Sequence, residues 1–289
     1  MSDARAVLRA AGLSPKRSFG QNFLVSPHTV EAIAEACVPA AEVGRARVLE
    51  LGAGTGVLTR ALAARARTVV AVERDRDLLP VLTEQLADLP PGRVRVVEGD
   101  AQVAEPRDLL GPPDEASPRV LCGNLPYQIT GRLLERAVAH ADDVERVVFM
   151  VQLEVADRLA ADPGNKTYGA LTVFTRAAFR TRKLFAVGPG SFHPPPDVTS
   201  AVILLEPERP RRAEETEMFR ALVKGAFGTR RKTLRNAWKN VAPMDRIAAA
   251  AATAGISLDA RGETLSVDEF AAMALAMAGS AVGVAADGL

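Results

Sequence analysis

The chain is poor in the residues that build metal and redox centres. Its two cysteines, Cys37 and Cys122, lie far apart and show neither metal-ligand spacing nor a disulfide framework. Both read as small buried hydrophobes. The three histidines are scattered, so no metal is expected. No apolar run reaches the roughly 18 residues that a membrane span needs. The longest, near Ile247–Ala254 and Phe270–Ala278, are alanine-rich and short. Met1–Gly12 alternates charge with small apolar residues and lacks a signal-peptide core. A cytoplasmic protein without a membrane partner is expected. No internal repeat is present. A net charge of +1 argues neither for nor against nucleic acid, so the distribution of charge matters more.

Hydrophobic residues make up 48% of the 289, and charged residues 25%, which is enough apolar material for a full core. The length suits one large domain, or a large and a small one. Strand and helix patterns alternate from about Arg45 to Glu206. Short apolar runs at Arg47–Leu51, Thr68–Glu73, Val94–Asp100, Arg119–Asn124 and Arg146–Val151 read as strands. Between them, helical spacing is seen after Gly56, over Asp77–Leu89 and around Gly131–His140. Near-continuous apolar strands between helices imply a parallel sheet covered on both faces, an α/β fold. Phe179–Val187 and Val198–Leu205 add two strands, joined by a proline-stiffened hairpin over Pro189–Pro196. After Glu206 the strand patterns stop and helices follow. The reading therefore divides the chain into a catalytic domain, 1–206, and a helical domain, 207–289, with an unstructured tail from Gly279 to Leu289.

Gly52-Ala53-Gly54-Thr55-Gly56 joins the first strand to its helix. Glycines suit a tight turn and let a ligand approach the backbone, most directly at Gly52 and Gly54. The spacing is GxGxG, not the GxGxxG that cradles a dinucleotide pyrophosphate. As a purely structural turn it needs no ligand. Three polar residues at neighbouring strand ends point further. Glu73 suits ribose hydroxyls, Asp100 suits an adenine amino group, and Asn124 ends the next strand; open parallel sheets bind ligands at these carboxyl ends. Each alone is also an ordinary solvated strand end. All three at matching strand ends point to a ligand site, and the missing pyrophosphate pattern favours S-adenosyl-L-methionine over a nicotinamide dinucleotide.

Asn124-Leu125-Pro126-Tyr127 is the most informative tetrapeptide. The exocyclic amine of adenine is a poor nucleophile, because its lone pair is delocalised into the ring. Acceptors near its two hydrogens turn that lone pair toward a methyl donor. The Asn124 side-chain oxygen suits one hydrogen and the Pro126 carbonyl the other, while Tyr127 suits stacking on the base. No strong general base is needed: positioning and electrostatics carry the reaction. Phe192, in Phe192-His193-Pro194-Pro195-Pro196, is placed to stack on the opposite face, unless it is a core residue of a proline-braced hairpin.

With these motifs the sequence resembles the bacterial small-subunit (16S) ribosomal RNA adenine N6,N6-dimethyltransferase family. The likeness runs from Pro15 to about Ala274. It is carried by Pro15–Leu24, Glu50–Gly56, Asn124–Tyr127, Gln152–Leu159, Phe192–Val198, Arg230–Asn236 and Arg261–Leu265. The resemblance implies a seven-stranded Rossmann-like methyltransferase sheet with a small all-helical C-terminal domain. It implies cofactor contacts at Asn22, Leu24, Gly52, Glu73, Asp100 and Asn124. Its substrate would be two adjacent adenines near the 3′ end of 16S rRNA, in a small ribosomal subunit or its precursor, and the enzyme is expected to be a monomer. Gly-Ala-Gly-Thr-Gly replaces the commoner Gly-Pro-Gly-Leu-Gly, and Gln128 and Thr130 stand where Asn and Ser are common. Erythromycin-resistance methyltransferases, which act on 23S rRNA, share the tetrapeptide's general form, but the N-terminal signature and Arg230–Asn236 favour the small-subunit enzyme. A Rossmann oxidoreductase and a non-catalytic ribosome-assembly factor are the other readings.

RNA contacts are expected at two acid-free stretches. One is Lys16 and Arg17. The other holds Arg230, Arg231, Lys232, Arg235 and Lys239, of which Arg231, Arg235 and Lys239 recur every four residues and would form one stripe on a helix. Such a stripe suits phosphates, giving affinity and register rather than sequence choice. Asp162–Tyr168 reads as a mobile loop near the substrate.

Overall fold

The computed structural model describes residues 3–112, 114, 116–229 and 231–282. Among the described residues nine strands occur, in chain order β1 (Phe23–Leu24), β2 (Arg47–Leu51), β3 (Thr68–Glu73), β4 (Val94–Glu98), β5 (Arg119–Asn124), β6 (Arg146–Gln152), β7 (Phe179–Val187), β8 (Phe192–His193) and β9 (Ser200–Pro207). Seven of them form one sheet in the order β4-β3-β2-β5-β6-β9-β7. Strands β2 to β6 run parallel, and β9 lies antiparallel to β6. The sheet thus has the seven strands and the α/β arrangement expected, and helices follow it. Central strands β5 and β6 are buried almost throughout, which is why they read as unbroken apolar runs.

Helices cover the sheet for local reasons. Pro27–Cys37 starts where Ser26 Oγ accepts from the Thr29 amide and Pro27 takes the first turn. Its Val30, Ile33, Ala34 and Cys37 follow helical spacing into the core, beside Val48, Leu62, Cys122 and Val148. Both cysteines are fully buried free thiols.

Strands β1 and β8 form a separate antiparallel ribbon, pairing Phe23 with His193 and Leu24 with Phe192. This ribbon changes one expectation. Phe192 is only 2% exposed and packs in the core with Leu24, Val187 and Val202, so it presents no face to a base. Pairing with β1 turns its ring inward, and the prolines after it brace the hairpin.

Compact units also divide the chain differently from the linear reading. One unit holds residues up to Ala156 together with Thr181–Pro207; the other holds Asp157–Arg180 and the chain from Glu208 onward. The last cut, between Pro207 and Glu208, lies one residue beyond the boundary read from the sequence, and 157–180 joins the helical unit. Tyr168, Val173 and Ala177 are buried there with Phe219, Trp238 and Phe270. The Tyr168 hydroxyl donates to the Leu265 carbonyl at 2.8 Å, and the Gly164 amide donates to the Glu263 carbonyl at 2.7 Å. These bonds anchor the segment expected to be a mobile loop. The C-terminal helix, Val267–Val282, runs through the first residues of the expected tail, and 283–289 lie outside the described residues.

Because Phe192 packs rather than stacks, Phe192→Leu should keep methyl transfer near the wild-type rate. Phe192→Ala should cost about 3–5 kcal/mol of stability in a denaturant titration. Loss of activity in a fully folded Phe192→Leu protein would restore the stacking role.

Candidate active site

A cleft opens at the carboxyl ends of β2, β3, β4 and β5, with about 1210 Å³ of empty space counted to its open mouth. It is lined by Asn22, Leu24, Gly52, Gly54, Glu73, Asp100, Asn124, Leu125, Pro126 and Tyr127, among others. Residues expected from five separate stretches of sequence therefore meet in one place.

The glycine turn forms one wall. Gly52 has φ +74°, and nothing lies within 4 Å of where a Cβ would stand, so bare backbone faces open space. Gly56, at φ +83°, caps the helix Val57–Arg65, and a Cβ there would stand 2.8 Å from Leu82. The Gly54 amide donates to Glu73 Oε2 at 2.7 Å, while Glu73 Oε1 accepts from the amides of Arg74 and Asp75 at 2.8 and 2.7 Å. Glu73 is thus locked at the end of β3 with one lone-pair site to spare, on Oε2. Asp100 Oδ1 accepts from the Gln102 amide at 2.9 Å, and Oδ2 lies 3.2 Å from Arg74 Nη1. Two fixed carboxylates at successive strand ends can take a hydroxyl and the amino group of an adenosine.

At the opposite wall, Asn124 Nδ2 donates to the Asn22 carbonyl at 2.7 Å. A carbonyl only accepts, so the amide nitrogen must face Asn22, and Oδ1 points the other way with no donor among the described residues. The Pro126 carbonyl differs from expectation. It accepts from the Ile129 amide and from Thr130 Oγ1, both at 3.1 Å, so its lone pairs are engaged by the turn that opens the next helix. Leu125 also lines the cleft, and its carbonyl accepts no hydrogen bond among the described residues. The half-buried Tyr127 is tethered by its hydroxyl, 2.8 Å from the fully buried Ser200 Oγ. Burial pushes its phenol above the usual range, against the Ser200 bond.

The N-terminal segment supplies a wall that residue patterns alone do not reveal. Phe19–Leu24 lines the cleft. Lys16 Nζ meets Asp75 Oδ1 at 2.5 Å and Asp77 Oδ2 at 2.6 Å, so this cation is committed to two carboxylates rather than offered to RNA. It also lies 5.5 Å from the Phe19 ring centre. Arg17 is exposed in a short 3-10 turn, Arg17–Phe19.

The second basic stretch is not one helix stripe. Arg231 and Lys232 sit in a turn; the helix covers only Leu234–Trp238, with Arg235 in its first turn and Lys239 just past its end. The chain turns at Thr233 because Leu234 and Trp238 are buried, and the Trp238 indole donates to the Leu222 carbonyl. Arg231, Lys232, Arg235 and Lys239 are all exposed. Arg235 Nε lies 3.8 Å from Asp259 Oδ1. Arg230 lies outside the described residues.

Glu50 ends up on the cleft floor at 1% exposure, accepting from Thr59 Oγ1 at 2.6 Å. Burial pushes its carboxyl from an ordinary 4.5 up to about 8; Thr59 opposes the shift and nearby Glu73 adds to it. Among the described residues, no group of three or more His, Cys, Asp or Glu side chains is placed to hold a metal. No helix of the described residues is long and apolar enough to cross a membrane.

Residues 12–278 match the family model described as ribosomal RNA adenine dimethylase. A Geobacter metallireducens protein named ribosomal RNA small subunit methyltransferase A is 44% identical over 276 residues, 93% of this chain and 98% of its own length. A protein of the same name from Myxococcus xanthus is 41% identical over 96% of each chain. Among solved structures, the 23S rRNA methyltransferase ErmE is 29% identical, with a TM-score of 0.67 over 89% of this chain and 100% of that one. A dimethyladenosine transferase from Plasmodium falciparum has a TM-score of 0.74 over 90% and 98% of the two chains; at 23% identity that likeness concerns the fold.

The raised Glu50 pKa has a signed consequence. Between 4.5 and about 8 the folded protein holds a proton there that the unfolded chain releases, so this contribution to stability is full at low pH and falls as pH rises. Glu50→Gln should gain melting temperature over wild type at pH 8 and gain little at pH 5, a difference that paired thermal scans will read.

Proposed function

Since the chain belongs to the ribosomal RNA adenine dimethylase family, we propose that it dimethylates the N6 amino groups of two adjacent adenines near the 3′ end of 16S rRNA, with S-adenosylmethionine as donor, during small-subunit biogenesis. It is an rRNA adenine dimethyltransferase by family. The substrate in this reading is the RNA within a small ribosomal subunit or its precursor, and the enzyme acts as a monomer. The glycine spacing and the family together leave the nicotinamide reading without support.

The observation that carries the mechanism is the orientation of Asn124. When bound, S-adenosylmethionine supplies a methyl group already activated on a sulfonium. Glu73 would accept from a ribose hydroxyl and Asp100 would accept from the adenine amino group. Gly52 and Gly54 give backbone approach to the rest, and Asn22 and Leu24 close the other side. Asn124 Oδ1 accepts one hydrogen of the target amine. The Leu125 carbonyl takes the second, in place of the engaged Pro126 carbonyl. With both hydrogens held in that plane, the nitrogen lone pair projects toward the methyl group. Tyr127 stacks on the base, which must be flipped out to arrive. The surplus proton leaves to water afterwards, so no side chain acts as a strong base. Positioning and charge stabilisation supply the rate. Exposed Arg17, Arg231, Lys232, Arg235 and Lys239 serve phosphates.

Asn124→Ala should lower methyl transfer by about 100-fold or more, the scale of losing one preorganised transition-state contact, while RNA affinity changes little. Incorporation of tritiated methyl groups and a filter-binding isotherm measure the two; an active variant would remove Asn124 from the mechanism. Arg231→Ala with Arg235→Ala should weaken RNA binding and reduce the slope of log affinity against log salt by roughly 0.7–0.9 per lost phosphate contact. An unchanged slope would take these arginines out of the interface.

A further inference from the structure

We propose that Asp75 is a positioning residue for methyl transfer: through Gln21 and Lys16 it holds the N-terminal strap that turns the Asn124 amide toward the substrate amine. The inference rests on the catalytic reading of Asn124 and adds a residue that lies outside the tetrapeptide and the glycine turn.

Asp75 stands in the loop after β3, where acids are usually solvated, yet it is only 3% exposed. Its Oδ2 accepts from Gln21 Nε2 at 2.8 Å; its Oδ1 accepts from Lys16 Nζ at 2.5 Å and from the Asp77 amide at 3.2 Å. Burial pushes this carboxyl upward, but the bonds from Lys16 and Gln21 outweigh it and leave it below the usual range. Gln21 is fixed at both ends of its amide, because Oε1 accepts from the Lys16 amide at 2.8 Å. One residue later, the Asn22 carbonyl takes the Asn124 bond. The Asp75 amide itself donates to Glu73 Oε1. One short loop therefore anchors both the carboxylate assigned to the ribose and, through the strap, the acceptor assigned to the target amine. Without the Asp75 carboxylate the Gln21 amide keeps only its bond from the Lys16 N–H, and the segment that carries Asn22 loses one of its two ties. A displacement of about 1 Å at a reacting geometry costs on the order of 100-fold in rate.

The hydrogen-bond pattern permits a compensation test. Asp75→Asn is isosteric, but both Asp75 oxygens accept, so its new NH2 meets a donor either way: the Gln21 amide on one side, or the Lys16 ammonium and the Asp77 N–H on the other; turning the Gln21 amide sets NH2 against the Lys16 N–H instead. Gln21→Glu alone sets two carboxylates face to face. In the double variant the introduced carboxylate at position 21 accepts from both the introduced amide at position 75 and the Lys16 N–H. Each variant is folded, checked by thermal melting, and assayed for kcat and for KM toward unmethylated small ribosomal subunits. Each single change is expected to lower kcat about tenfold or more, with KM for RNA within about twofold, and the double variant to recover most of the loss. Unchanged kcat in the single variants, a double variant no better than the worse single, or a loss confined to KM would overturn the proposal. Lys16→Met gives an independent reading should Asp75→Asn not fold. It is expected to lower kcat with an unchanged salt slope for RNA; a raised KM with a flatter slope and intact kcat would overturn the strap role. Asn124→Ala runs alongside. An active Asn124→Ala protein overturns the catalytic reading and this inference with it, whereas an inactive one beside a fully active Asp75→Asn overturns this inference alone.

Discussion

The arrangement depends on one hydrogen bond, from the Asn124 side-chain nitrogen to the Asn22 carbonyl. A primary amide can face a pocket with either end, and only its oxygen can receive a hydrogen from an amine. The sheet delivers Asn124 to the cleft but does not choose between the two ends. The choice is made by a carbonyl 102 residues away in sequence. Because that carbonyl has no hydrogen to give, it takes the nitrogen and leaves the oxygen to the substrate. The chemistry of the strand end is thus set by the segment laid across it.

Sheet topology makes this possible. Parallel strands present their carboxyl ends on one rim, and the order β4-β3-β2-β5 sets Asp100, Glu73, the glycine turn and Asn124 side by side along it. β2 and β5 are neighbours although a long stretch of chain separates them, and this is the crossover at which such sheets bind ligands. Donor site and acceptor site therefore share a wall. Glu50 lies beneath them as a buried acid whose carboxyl burial pushes well above the usual range.

Much of this was legible in the sequence, for identifiable reasons. Central strands such as β5 and β6 are buried almost throughout and write unbroken apolar runs, while the more exposed β4 and β7 carry only shorter apolar stretches; all seven strands of the main sheet are still legible. Glu73, Asp100 and Asn124 stood out because they end such runs. Asn22 and Leu24 entered only through family resemblance, since β1 is two residues long and carries no periodicity. Phe192 was misplaced for the same reason: its pairing with β1 is long-range and leaves no local mark. The Pro126 carbonyl looked available because backbone acceptors show nothing of their partners in a sequence; a 3-10 turn and the Thr130 hydroxyl had taken it. Lys16 looked like a free cation because Asp75 and Asp77 lie some 60 positions on. The four-residue spacing of Arg231, Arg235 and Lys239 suggested a stripe, but the helix that should carry it spans only Leu234–Trp238.

The membership of 157–180 in the helical unit bears on how the chain matures. During synthesis this segment emerges well before Phe219, Trp238 and Phe270, the residues that bury Tyr168 and Val173. Strands β7 and β9 must come between, so the helical unit is interrupted by its neighbour and cannot close until translation is nearly complete. Ending the chain at Glu206 would strand an apolar helix, Ala170–Ala178, without its covering. What looks like a C-terminal appendage is a discontinuous module. Removing it as a single contiguous piece would damage what is left behind.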